Sequence, residues 1–266
     1  MQWLSKILQK LFATREKSDG DVVKPFLEHL EDLRFTLFKM AAVLAIGMIT
    51  AFINIDWLTR IVMAPAKQFG FKIISLGVTE GFMISLTLAF YAGIVLSFPL
   101  LLFFAAEFVL PALTRQEKRL LLPSIAVGFV LFGTGVWLAY EFVLPLTLKW
   151  FHNYSVERMN FETEWQARDY FSFVTHLTIA CGLLAEMPIA VLGLAFMGIV
   201  SADLLRNTRA YAYTLILILV AVISPTPDPM TFIIMSLPVL AIYETCIWIV
   251  WALERRRKKA EVETGY

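Results

Sequence analysis

FMISLTLAFYAGIVLSFPLLLFFAAEFVLPALTRQEKR, residues 82–119, decides what kind of molecule this is. From Phe82 to Pro111 the only charge is Glu107, and then Arg115, Lys118 and Arg119 follow in close succession. At about 1.5 Å rise per residue, about 20 apolar residues cross the hydrocarbon core of a bilayer. The run is therefore a membrane helix with residues to spare. It should tilt, bend or project beyond the hydrocarbon, and Pro99 offers a place to bend. The basic cluster behind it marks an interface, because Lys and Arg collect on the cytoplasmic side of membrane proteins.

The pattern recurs along the chain. Of 266 residues 59% are hydrophobic, 22 are Phe, and the mean hydropathy is +0.71, well above a soluble domain. This is an integral membrane protein of the all-α class. Apolar runs at 35–55, 82–111, 120–148, 171–199, 210–224 and 231–252 predict six transmembrane helices. The third and fourth are also long, with Pro123, Pro145 and Pro188 as bending points. The fifth is short, so it needs a locally thinned bilayer or the support of other helices.

Six crossings put both termini on one side, together with Lys6, Lys10, Arg15, Lys17, Lys24 and Arg34, the Arg115–Arg119 cluster, Arg206, Arg209 and the run Arg255–Lys259. The opposite loops hold only Arg60, Lys67, Lys72, Lys149, Arg158 and Arg168. This asymmetry predicts cytoplasmic termini. The chain then divides into an amphipathic N-terminal segment 1–24, a six-span domain 25–252 and a basic tail 253–266. In MQWLSKILQKLF the apolar residues Trp3, Leu4, Ile7, Leu8, Leu11 and Phe12 form one helical stripe, which reads as an interfacial helix and not as a cleaved signal. No internal repeat is visible. Cys181 and Cys246 lie inside apolar runs as small hydrophobes, without metal or redox spacing.

The polar residues within this frame need reasons. FLEHLEDLR, residues 26–34, places Glu28, Glu31 and Asp32 within an arc of about 100°, with Leu27, Leu30, Leu33 and Leu37 on the other side. One reading is a solvated face complementing the helix dipole; the other is a cation site suited to guanidinium groups. Glu186, in CGLLAEMPIAV, lies near the centre of the fourth run, where a carboxylate costs a few kcal/mol unless it faces protein or water. His176 reads as a satisfied core residue, Glu244 as a second deep acid, and Asp228 as a turn residue accepting backbone bonds. Glu107 and Glu141 stand near the ends of long spans and can reach an interface. On these residues alone, a proton- or ion-coupled small-solute transporter using Glu186 as a relay is also conceivable, although repeats and a paired cation site are missing. HExxH, GxSxG, phosphate-cradling Gly loops and Cys/His sets are all absent, so no catalytic role, metal or cofactor is predicted.

Taken together the motifs resemble the TatC family, the multi-spanning receptor subunit of the twin-arginine protein translocase, from about residue 24 to residue 252. HLEDLR, His29 to Arg34, is similar to the family's HLxELR, with Asp32 in place of the usual Glu. Pro65 of MAPAK matches a proline in the first external loop. EFVLPALTRQEKR matches FxxPxL followed by an acid, at Phe108, Pro111, Leu113 and Glu117. Glu186 and Pro188 match the embedded Glu before Pro; Pro227 and Asp228 match the last external turn; Pro238, Tyr243 and Glu244 match P-x-x-x-x-Y-E. The chain departs from the family at Phe104 and Ala106, where many members have Gln and Trp, and at Thr231 and Phe232, where they have Ser and Gln.

The resemblance implies a concave, glove-like fold with short fifth and sixth spans in a bacterial or archaeal cytoplasmic membrane. It implies recognition, at the cytoplasmic face, of twin-arginine signal peptides on folded cargo, with transport driven by the proton-motive force. Asp32 and Glu117 would receive the arginines; Arg34, Leu33, His29 and Phe108 would shape that surface. Glu186, with Pro188, would contact a partner helix in the membrane. Pro65, Pro111, Asp228 and Glu244 would be structural or external-loop positions. The implied partners are signal peptides, small single-span TatA/TatB-type subunits, further copies of the chain and membrane lipid, with no nucleic acid.

Overall fold

The computed structural model describes residues 26–109, 115–161, 164–196, 200–226 and 228–263. The N-terminal segment 1–24 therefore lies outside the described residues. Among the described residues five helical stretches are long and apolar enough to cross a membrane: Leu30–Ile53, Glu80–Phe108, Pro123–Arg158, Ala167–Ala195 and Pro229–Arg255. A sixth apolar helix, Arg209–Ile223, has 15 residues, or about 22 Å, short of the roughly 30 Å hydrocarbon core.

The first two long helices, α1 (Phe26–Ile53) and α3 (Glu80–Val109), pack as an antiparallel pair. Small residues let the backbones meet: a Cβ added to Gly93 would stand 2.8 Å from the Met48 nitrogen, and one added to Gly47 would stand 2.8 Å from the Gly93 carbonyl oxygen. One turn on, the Ser97 hydroxyl donates to the Val43 carbonyl at 3.1 Å. Away from this seam α1 exposes Phe35, Phe38, Ile46, Ile49 and Ile53, as a lipid-facing helix does.

Between these helices the expected first external loop is largely ordered. Residues Ile55–Gln68 form an amphipathic helix, α2, which buries Val62, Pro65 and Ala66 and exposes Asp56, Trp57, Arg60 and Lys67. Pro65 thus sits inside a helix and not in an irregular loop. The Tyr140 and Tyr170 hydroxyls pin this helix down by donating to the carbonyls of Ile61 and Val62, each at 2.7 Å. Gly70, at φ 71°, ends it: the Gly70 and Phe71 amides turn back to Lys67 and Ala66 carbonyls, a left-handed cap that suits glycine. Strand β1 (Lys72–Ile74) then pairs in parallel with β2 (Glu164–Gln166), and Lys72 forms an ion pair with Glu164.

Glu80, the first residue of α3, ties this cap together. One carboxylate oxygen accepts from the Ser75 hydroxyl and the Leu76 and Gly77 amides at 2.7–3.0 Å; the other accepts from the Arg168 amide at 2.9 Å. A single charge at a helix start therefore satisfies donors from two loops far apart in the chain.

The third crossing is α4 (Arg115–Leu138), a π-helical turn (Ala139–Val143) and α5 (Leu144–Asn153). Pro145 accounts for the π turn, because it has no N–H and its ring crowds the carbonyl four residues back; widening the preceding turn relieves both. The fourth crossing is broken by Pro188 into α6 (Ala167–Leu184) and α7 (Met187–Phe196), with Glu186 at the step. The small helix α8 (Ala202–Asn207) leads into α9 (Arg209–Ile223), then α10 (Pro229–Glu263). Asp228 caps α10, its carboxylate accepting the Thr231 amide at 2.7 Å. The last apolar helix is not short, contrary to what the resemblance implied for the sixth span: its apolar stretch Pro229–Arg255 has 27 residues. The helix persists beyond the apolar run because Glu, Arg, Lys and Ala all favour it. The largest buried core lies where α5, α6, α9 and α10 meet, around Leu144, Leu148, Leu177, Val220, Met235 and Ile247.

Candidate functional site

The end of the α1–α3 seam nearest the start of α1 is built by register. The Gly47–Gly93 and Val43–Ser97 contacts define an antiparallel alignment that, continued toward the start of α1, brings Asp32 to the level of Phe108. Asp32 and Leu33 are half-buried, as is Phe108; Arg34 is exposed, its guanidinium 5.6 Å from the Phe38 ring centre. Thr36, one turn beyond Asp32, is buried. Two residues outside the predicted site meet here: Lys39 Nζ lies 3.3 Å from Glu107 Oε2 and 5.7 Å from the Phe104 ring centre. Helical side chains lean toward their own N-terminus, so in antiparallel helices a cation on one and an anion on the other converge along the seam. His29 lies on α1 and Glu117 on α4, but their side chains are outside the described residues, as is all of Pro111.

Glu186 stands at the α6–α7 step, half-buried. Pro188 cannot donate to the carbonyl of Leu184, so the helix stops and restarts around this acid. Glu186 Oε1 is buried without a hydrogen-bond partner among the described residues. Space for the carboxylate comes from α4, where a Cβ on Gly128 would lie 3.1 Å from Glu186 Oε2. A carboxylate so placed is costly in isolation and rewards any donor that reaches it.

The other deep acid is already engaged. Glu244 pairs with Arg209 Nη2 at 2.8 Å and accepts the Tyr213 hydroxyl, locking α9 to α10. The neighbouring Tyr243 hydroxyl donates to the Leu205 carbonyl at 3.1 Å. His176 departs from expectation. It is exposed and not a core residue, and its ring bonds the Ser172 carbonyl at 2.7 Å and the Tyr91 hydroxyl. Tyr91 helps line a cavity of about 780 Å³ between α1, α2, α3, α4 and α6, whose wall is mostly apolar, with Trp57, Trp137 and Tyr140 among its rings. Lys39 was legible as the single charge of its span, and Glu80 as the acid opening another. Neither belongs to a motif that would have drawn attention to it.

The chain is similar to known proteins along most of its length. The family model for Sec-independent protein translocase protein (TatC) matches residues 28–238. A Sec-independent protein translocase protein TatC of Akkermansia muciniphila is 42% identical over 177 residues, 66% of this chain and 51% of that protein. The chain thus spans about half the length of that relative. TatC of Synechocystis sp. is 33% identical over 223 residues, 84% of this chain and 86% of that protein. The chloroplastic TATC of Pisum sativum is 31% identical over 248 residues, 92% of this chain and 69% of that protein. A crystal structure of a twin-arginine translocase receptor, TatC, superposes with a TM-score of 0.75 at 30% identity, covering 84% of this chain and 98% of that one. The sequence and fold comparisons agree: the chain belongs to the TatC family, multi-span membrane proteins of the Sec-independent, twin-arginine protein translocase.

Proposed function

We propose that this chain is the core receptor subunit of a twin-arginine translocase, binding twin-arginine signal peptides of folded proteins at the cytoplasmic face of the inner membrane. The observation that carries this reading is the α1–α3 register, which sets Asp32 level with Phe108 at the end of the seam leading toward the Arg115–Arg119 segment. Asp32 and Glu117 receive the two guanidiniums through paired, charge-assisted hydrogen bonds, while Leu33, Arg34, His29 and Phe108 frame them. Two such pairs near water contribute about 1–3 kcal/mol together, so tight recognition also buries the apolar segment of the signal.

In this reading α9 is the fifth of six crossings, both termini are cytoplasmic, and the short α9 thins the bilayer around the translocation site. Glu186 offers its open carboxylate to a polar group on the helix of a single-span TatA/TatB-type subunit. Further copies of the chain assemble with these subunits, and the proton-motive force drives transport. Binding of a labelled twin-arginine peptide to the purified chain tests the receptor role, with a twin-lysine peptide as control. Asp32→Ala and Glu117→Ala should each weaken binding; equal affinity in both variants overturns the site. Glu186→Ala should impair capture of single-span partners while peptide binding is retained; loss of peptide binding with normal capture overturns that assignment.

A further inference from the structure

The apolar stretch of α10 ends at Arg255, and there two cations from different elements converge on one ring. The guanidinium carbon of Arg255 lies 4.4 Å from the centre of the Trp251 ring, and that of Arg206, on α8, lies 5.7 Å from it. Arg255 reaches this ring because a helical side chain leans back over the residue four positions earlier. Arg206 is brought there by the start of α8, where Glu254 accepts the Ala202 amide at 2.9 Å and fixes α8 against α10. The acids of this region do not neutralise the two arginines. Glu254 holds that amide and Glu244 holds Arg209 and Tyr213; Asp203 is exposed and, among the described residues, forms no ion pair with either arginine. Two guanidiniums on one indole repel each other, and their planar forks of N–H donors match the oxygens of a phosphate.

The neighbouring side chain indicates which phosphate. Trp248, one turn nearer the apolar stretch, is 61% exposed and stands edge-on to Trp251, with ring centres 6.1 Å apart. Tryptophans collect at the boundary between hydrocarbon and headgroups, and basic pockets between membrane helices bind anionic headgroups. We propose that Arg206 and Arg255, gathered on the Trp251 ring, form a binding site for the phosphate of an anionic phospholipid, with Trp248 against its acyl chain. A small soluble anion makes no use of the exposed indole, whereas a lipid engages the arginines and the indole together. The bound headgroup joins α8 to α10 and offsets the repulsion between the two cations. The site uses no residue of the proposed signal surface, so it stands independently of the receptor reading.

The test is thermal unfolding of the full chain in detergent, titrated with phosphatidylglycerol, phosphatidylcholine or inorganic phosphate. Phosphatidylglycerol should raise the midpoint saturably, and the other two at equal concentration should not. Arg206→Gln and Arg255→Gln should each weaken the apparent phosphatidylglycerol affinity about 5-fold, and together about 30-fold. Lys258→Gln with Lys259→Gln removes the same charge from the same helix and leaves both ring-bound arginines in place, so its loss should be at most about 3-fold. Equal losses in the two double variants would mean diffuse attraction to the basic tail and overturn the site, as would equal stabilisation by phosphatidylcholine. Equal stabilisation by inorganic phosphate would reveal a soluble-anion site and overturn the lipid assignment. A stack that only braces α8 gives lower midpoints in the arginine variants with an unchanged phosphatidylglycerol affinity, which also refutes the proposal. If the double arginine variant does not fold, Arg206→Gln decides alone, and unchanged affinity is fatal.

Discussion

Replacing Gly93 with Ala should cost stability even though alanine is the better helix former. In an exposed helix interior Gly→Ala gains up to about 1 kcal/mol. At Gly93 the new methyl would stand 2.8 Å from the Met48 nitrogen and 2.9 Å from its Cα, and these are backbone atoms that no rotamer change can move. Ordinary van der Waals contact begins at 3.4 Å, so α1 and α3 must separate by about 0.6 Å along their whole contact. Interiors packed to crystal density resist such shifts, and overpacking of this kind costs about 1–3 kcal/mol, enough to exceed the propensity gain. Gly133 is the internal control, since it is exposed and a Cβ there meets nothing within 4 Å. Gly133→Ala should therefore be neutral or stabilising. Denaturant titration of both variants in one detergent, followed by tryptophan fluorescence, compares them directly. Equal stability of Gly93→Ala and the unaltered chain, or a loss at Gly133 as large as that at Gly93, would refute the argument that close backbone approach holds this seam.

Three further changes probe other parts of the frame. Tyr170→Phe removes the hydroxyl that satisfies the buried Val62 carbonyl, and should destabilise by about 1–2 kcal/mol and raise amide exchange in residues 55–68. Arg209→Met removes the cation from Glu244, leaving only the Tyr213 hydroxyl on it, and should cost about 1–2 kcal/mol in thermal or denaturant unfolding, a value discounted for the partial exposure of both side chains; adding Glu244→Gln should recover part of that loss. Glu186→Leu removes a carboxylate oxygen that has no partner among the described residues, so the isolated chain should gain about 1–2 kcal/mol of stability in the same assay, and a loss would indicate a hidden internal partner.

Much of this molecule is legible because a bilayer permits few structures. Runs of apolar residues had to become helices, since no other open structure satisfies the backbone in hydrocarbon. Their ends, and the bending points Pro145 and Pro188, follow from chain chemistry with little help from context. The cap formed by α2 and the two short strands was not legible for the opposite reason. Strands of three residues, KII and EWQ, are too short to display a period of two, and they pair only because α3, α4 and α5 return the chain to the same side. Helix α2 was obscured by Pro65 near its end, which looks like a breaker in sequence but sits where the helix is about to finish. The apolar run of the last helix reads as 231–252 in the sequence, close to the 229–255 found, while its short length was implied only by the resemblance; helical propensity carries the backbone on to Glu263. At the proposed landing surface Asp32 stood out through crowding of like charges, whereas Lys39 and Glu107 acquire meaning only when the helices are brought together.

The deep charges sort by what they have left to offer. Glu244 has both a cation and a phenol, Glu107 has Lys39, and either acid could take a new ligand only by giving up an existing one. Glu186 differs in kind, because one of its oxygens is buried with no partner among the described residues, and any donor that arrives gains a hydrogen bond without displacing another. Saturated acids thus act as braces of the scaffold, and the unsaturated one carries an energetic incentive for association. In the role proposed for Glu186, the free chain bears the desolvation cost of this carboxylate and a docked partner helix recovers it. Burial of charge alone does not distinguish a brace from a docking group; the number of its hydrogen bonds left unmade does.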